Sequence, residues 1–221
     1  EPTTALDVTV QLQVLRLLKH KARASGTAVL FISHDMAVVS QLCDSVYVMY
    51  AGSVIESGVT ADVIHHPRHP YTIGLLQCAP EHGVPRQLLP AIPGTVPNLT
   101  HLPDGCAFRD RMVTTTTAAP VGILSRRSLV SDTLLTLRDV HINFPARKNW
   151  LGKTTEHVHA INGIDLQIRR GETLGIVGES GCGKSTLAQL LMGMLQPSHG
   201  QYIRSGSQRI MQMVFQDPLS S

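Results

Sequence analysis

The chain reads as an α/β fold in which strands deliver a phosphate-binding loop, and three observations predict it. Thr173–Val177 is an apolar run that leads straight into Gly178-Glu179-Ser180-Gly181-Cys182-Gly183-Lys184-Ser185, which fits G-x-x-x-x-G-K-[ST]. Lys184 to Leu195 then carries a helical pattern, so the motif stands between a strand and a helix. Ala28 to Ser33 is a second short apolar run, followed by His34 and by a helical stretch from Asp35 to Leu42.

The other elements follow in order. Val8 to Lys21 is an amphipathic helix, with Val10, Val14, Leu17 and Leu18 on one side and Ser25-Gly26 ending it. Ala28–Ser33 is a buried strand. Ser45–Tyr50 and Ser53–Glu56 form a hairpin around Ala51-Gly52. Thr60–His65 is a short helix with Thr60 as its cap. From Pro67 to Pro103 prolines recur and leave little room for long regular elements. Thr114-Thr115-Thr116-Thr117-Ala118-Ala119-Pro120 is low-complexity linker. Strand signals return over Leu134–Phe144 and His157–Ile168, and Ile210–Phe215 is a last strand.

Composition narrows the function. With 221 residues there is room for one domain or two small ones, and 43% hydrophobic residues suffice for a core. The net charge of +3 comes from dispersed residues; Arg126-Arg127 and Arg169-Arg170 are adjacent, but no basic stripe appears. Nucleic-acid binding is therefore not expected. No apolar run approaches a membrane span and no signal peptide opens the sequence, so any membrane link goes through a partner. Cys43, Cys78, Cys106 and Cys182 form no C-x-x-C pair, and Cys182 within the loop argues for a reducing cytosol.

The loop motif carries a defined chemistry. Glycines let backbone N–H groups point inward with no Cβ in the way. A helix N-terminus offers open amides and a favourable dipole to an anion. Lys184 is the cation for the outer phosphates, and the Ser185 hydroxyl is a ligand for Mg²⁺. Gly178 to Thr186 form the expected nucleotide-binding stretch. Cys182 is expected to line the loop, with no nucleophilic role.

Gly178–Ser185 together with Val214-Phe215-Gln216-Asp217-Pro218 resembles the ATP-binding cassette (ABC) ATPases. The resemblance implies ATP and Mg²⁺ as cofactors, with Gln216 contacting Mg²⁺ and the attacking water. It aligns Phe144 with the aromatic that stacks on adenine; ordinary strand core is the other reading of that residue. At the front, Glu1 matches the glutamate that polarises the attacking water, Thr4-Ala5-Leu6-Asp7 matches the segment touching the opposite subunit, and His34 matches the switch histidine at the γ-phosphate. His69-Pro70-Tyr71-Thr72, Ile92-Pro93-Gly94-Thr95-Val96-Pro97 and Leu102-Pro103-Asp104-Gly105-Cys106-Ala107-Phe108 resemble the C-terminal extension of oligopeptide and dipeptide importer ATPases, among them those of a D-alanyl-D-alanine dipeptide importer. The partners so implied are transmembrane permease subunits and a second ATPase subunit, at the cytoplasmic face of the bacterial inner membrane.

These segments stand in reversed order, because the front ones normally follow the phosphate loop. The expected fold is a P-loop NTPase of the ABC type with its halves permuted. Residues 1–64 are the back half of a cassette, 65–111 the importer-type extension, 112–132 a linker or junction, and 133–221 the front half of a second cassette. Family pattern lapses after Arg111, and one reading of the junction is out-of-frame sequence. No L-S-G-G-Q signature occurs, so the helical signature subdomain is expected to be missing. A lost transition-state donor of that kind commonly costs ~3 kcal/mol or more. Hydrolysis by the chain alone is expected to be weak or absent. A nucleotide-binding module without turnover and a non-folding junction product are the competing readings. Some family extensions hold an iron–sulfur cluster; Cys106 matches its first ligand alone, so no cluster is expected.

Overall fold

The computed structural model describes residues 8–78, 91–112, 133–148, 154–205 and 211–212. The expectations for Glu1–Asp7, for residues 113–132 and for Gln216 lie outside them. Of the strand expected over Ile210–Phe215, only Met211 and Gln212 are described, and neither is in a strand.

Local chemistry sets the first half. Helix α1 (Val8–Ser25) runs past Lys21 until Gly26, at φ 62, stops it. Strand β1 (Val29–Ser33) leads into helix α2 (Met36–Leu42), whose N-cap is Asp35; its carboxylate accepts from Ala37 N at 2.8 Å. Strands β2 (Ser45–Tyr50) and β3 (Ser53–Val59) are joined by Ala51 and Gly52, both at positive φ, as tight hairpins require. Helix α3 (Thr60–His65) is capped from Val59, not Thr60, whose hydroxyl is buried without a hydrogen-bond partner. Helix α4 (Pro70–Gln77) starts on proline, and His69 Nδ1 caps it by accepting from Tyr71 N at 3.1 Å.

The second half opens with two long antiparallel strands, β4 (Thr133–Lys148) and β5 (Thr154–Arg169), which reach beyond the expected Phe144 and His157 boundaries. Strand β6 (Thr173–Val177) precedes helix α5 (Lys184–Leu191), which ends before Leu195. Strand β7 (His199–Arg204), absent from the sequence expectation, pairs with β4.

One sheet has the order β1-β6-β2-β3 and the other β5-β4-β7. Strand β6 is parallel to both neighbours, in register from Val29↔Thr173 to Ser33↔Val177 and from Ser45↔Leu174 to Val48↔Val177. All five of its residues are buried. Leu174 and Ile176 join a core of β4, β5 and α5 side chains, whereas Val177 joins a core built around α2, β2, Tyr71 and Phe108. Period-two alternation thus lets one short strand serve two cores.

One burial expectation is corrected. Strand β1 is only half-buried apart from Ser33, because it is the terminal strand among the described residues. The α1 side bearing Val14, Leu17 and Leu18 faces outward, and Leu15 and Ala22 are the residues that pack inward. Among the described residues, no helix is long and apolar enough to cross a membrane.

Candidate functional site: the phosphate loop

Strand β6 stops at Val177 and α5 starts at Lys184, so Gly178–Gly183 forms the turn between a buried parallel strand and a helix N-terminus. Helix α5 has no side-chain cap hydrogen bond, which leaves its leading amides open to an anion. Two glycines are forced. A Cβ on Gly178 would collide with the Met49 carbonyl. One on Gly183, at φ 101, would lie 2.5 Å from the Ala160 carbonyl. Strands β2 and β5 thus both lie hard against the loop. The Gly52 amide, in the β2–β3 turn, donates to Cys182 O at 3.1 Å and fixes a third point.

Lys184 is held inside this frame. Its Nζ donates to Gly178 O at 2.7 Å, to Glu179 O at 2.8 Å and to Cys182 Sγ at 3.6 Å. The ammonium therefore stands beside the open amides, on the loop itself. Ser180, Gly181 and Ser185 are exposed, and Gly183 and Thr186 partly so, which leaves the Ser185 hydroxyl accessible at the second helical position. These residues fit a triphosphate: a loop whose glycines let it lie tight against the neighbouring backbone, one fixed cation and a free helix start. Ser185 fits a Mg²⁺ ligand, as its motif position requires.

Two sequence expectations for the loop are corrected. Cys182 does not line it with its side chain. The thiol is fully buried beside Met49, Ile161 and Leu187, and burial pushes its pKa up against the opposing pull of Lys184. Glu179 does not face the cradle either. Its carboxylate meets Arg111 in a two-point ion pair, Nη1 to Oε2 at 2.7 Å and Nη2 to Oε1 at 3.2 Å. Its amide donates to Tyr71 Oη at 2.8 Å. Both groups are taken by the segment after the first sheet.

The remaining expected residues divide. Ser33 pairs with Val177, so His34 follows β1 beside the point where Gly178 follows β6. His34 is exposed, and the Ser33 hydroxyl accepts from Asp35 N at 3.0 Å. Phe144 pairs with Val158, two residues before the Ala160 carbonyl that limits Gly183. Its ring is 37% exposed, so the strand-core reading does not hold. Glu1 and Gln216 lie outside the described residues. Cys106 Sγ lies 3.5 Å from His69 Nε2, and no group of three or more metal-ligating side chains occurs among the described residues.

Known proteins match both halves. Residues 55–115 match the oligopeptide/dipeptide transporter C-terminal region, and residues 161–220 match the ABC transporter family. The two matched segments are thus similar to parts of the ATP-binding proteins of oligopeptide and dipeptide ABC transporters. Over 92 residues it is 99% identical to the probable D,D-dipeptide transport ATP-binding protein DdpF of Escherichia coli (strain K12), covering 42% of this chain and 30% of that protein. The glutathione import ATP-binding protein GsiA of Escherichia coli (strain K12) is 35% identical over 237 residues, covering 100% of this chain and 35% of that protein. GsiA of Salmonella choleraesuis (strain SC-B67) is 35% identical over 240 residues with the same coverage. The chain spans about a third of the length of these relatives.

Proposed function

We propose that the chain forms the nucleotide-binding core of an ABC importer ATPase of the peptide class, with ATP and Mg²⁺ held at Gly178–Thr186. The observation that carries this is the side-by-side ending of β1 and β6, which brings Ser33-His34 next to the phosphate loop at the carboxyl edge of parallel strands. Ligands of open α/β sheets bind at that edge. In this reading Lys184 neutralises the outer phosphates, Ser185 and Gln216 hold Mg²⁺, and Phe144 covers the adenine. His34 orients the γ-phosphate, and Glu1 takes the proton of the attacking water.

The halves are read as permuted: the back of one cassette, its extension, then the front of the next. The whole-length match to GsiA supports this, because one continuous alignment carries the segments in the same order. It also counts against an out-of-frame junction. The partners are transmembrane permease subunits and a second ATPase subunit at the cytoplasmic face of the inner membrane. A dipeptide or oligopeptide is the cargo, read by those partners and by no residue of this chain. The chain contains no L-S-G-G-Q, which favours a second reading of nucleotide binding without turnover.

Titration of the chain with Mg·ATP tests the site. Lys184→Ala is expected to weaken binding at least about tenfold, the equivalent of ~1.4 kcal/mol. Equal affinity of both proteins would remove the site. A phosphate-release assay on the same samples separates the readings: binding without release is the result expected of a site lacking its signature.

A further inference from the structure

Arg111 is the end of a device that the loop motif does not contain. It uses all five of its N–H donors. Nε donates to Pro93 O at 2.7 Å, Nη1 to Tyr50 Oη and Glu179 Oε2, and Nη2 to Ile92 O and Glu179 Oε1. Its guanidinium lies 5.7 Å from the Tyr50 ring centre and 5.6 Å from that of Phe108. The side chain is almost wholly buried, so this fork is a fixed structure and not a surface pair. Tyr71 is fully buried against the same two rings and reaches the Glu179 amide. Two residues of the 55–115 match therefore grip one residue of the phosphate loop, each at a different group.

That grip has an electrostatic consequence. Glu179 is the second residue of a loop shaped for a polyanion, and an unpaired carboxylate there would repel the ligand. Arg111 neutralises it and turns it away, while Tyr71 fixes the Gly178–Glu179 peptide, whose carbonyl, Gly178 O, holds Lys184. We propose that Arg111 and Tyr71 are positioning residues for nucleotide binding, and that docking of segment 91–112 and occupancy of the phosphate loop are thermodynamically coupled. The inference rests on the reading that this loop binds ATP. Coupling of this kind is reciprocal, so nucleotide also holds the segment in its docked state.

The test uses the full chain with Mg²⁺ and a fluorescent ATP analogue as probe. Arg111→Ala and Arg111→Lys are each expected to weaken binding about tenfold, since an ammonium cannot reproduce the fork. Tyr71→Phe is expected to weaken it several-fold. Arg111→Ala combined with Glu179→Gln is expected to recover most of the affinity, because the charge needing neutralisation is gone. A purely structural Arg111 would give no such rescue. If Arg111→Ala fails to fold, Tyr71→Phe and Glu179→Gln carry the test through binding and through hydrogen exchange at 91–112, which nucleotide should slow. Wild-type affinity in Arg111→Lys and Tyr71→Phe, with only the melting temperature lowered, overturns the proposal. Unchanged binding by Lys184→Ala would instead overturn the ATP reading beneath it.

Discussion

His69 shows how one side chain can set a pH limit on the segment that grips the loop. Its Nδ1 accepts from Tyr71 N, so the ring is neutral at that nitrogen, and Nε2 faces Cys106 Sγ. Burial lowers its pKa, and the nearby Glu56 carboxylate opposes that shift only in part. A base with a depressed folded pKa binds fewer protons folded than unfolded. Its contribution is therefore present at neutral pH and is lost as pH falls below the ordinary imidazole value of about 6.5. Glu56 itself is occupied by the amides of Arg68 and His69, at 2.8 and 3.1 Å. Thermal melts at pH 7.5 and 5.5 are expected to show a larger loss for the wild type than for His69→Asn, which keeps a capping acceptor without a titrating ring. Equal losses would clear His69 of the role. Residues differ sharply in how legible they are from sequence. Gly178, Gly183, Lys184 and Ser185 could be read because the motif is local and each member has one chemical task. Arg111 could not, since its partner lies 68 positions away and a single arginine has no period or spacing. Tyr71 stood within a recognised segment, yet nothing local ties a phenol to an amide of the loop.

At the scale of elements, legibility followed the strength of the local signal. Strands β2 and β6 matched their sequence bounds because each is an unbroken run, and helix α2 did so to within its cap Asp35. Strand β7 went unread: His199-Gly200-Gln201-Tyr202-Ile203-Arg204 is mostly exposed, has a glycine at φ 91 and alternates only partly. It is a strand because β4 offers it a partner edge. Helix α1 was read as a helix with an apolar side, but which side packs inward was not legible. Periodicity marks an apolar stripe on a helix but not what covers it. Leu15 is 1% exposed and joins the α2–β2 core, whereas Leu17 is 60% exposed. Truncating them should therefore have opposite outcomes. Leu15→Ala is expected to cost ~2–4 kcal/mol, and Leu17→Ala to stay within about 0.5 kcal/mol, in urea unfolding at constant m-value. A comparable loss from both would mean that the stripe read from sequence is the packed one after all.

At the scale of the molecule, the two sequence halves are one folding unit, because β6 lies between two strands of the other half. The seam is also stitched at its start. Thr173 N donates to Asp44 Oδ2 at 3.0 Å, Asp44 N donates to Thr173 O at 2.7 Å, and Ser45 Oγ donates to Glu172 Oε1. Arg23 closes on the same aspartate at 2.7 Å, which ties α1 to the seam. Without β6, β1 and β2 would each present an unpaired edge, and Val39 of α2 and its C-cap Cys43 would lose the glycine surface at Gly175 on which they pack. Without β1 and β2, β6 would expose both edges of a strand that is buried throughout. Each core is completed across the seam, since Met49 of the first half joins the β4–β5 cluster and Val177 of the second joins the α2–β2 cluster. Expressed as two chains, residues 1–112 and 133–221 are therefore expected to co-purify when made together and to melt in a single transition. Each alone is expected to show no cooperative melt by circular dichroism. A cooperative transition in 133–221 alone, with nucleotide binding intact, would mean that the phosphate loop is built by its own half, and that β1 and His34 are bystanders beside it.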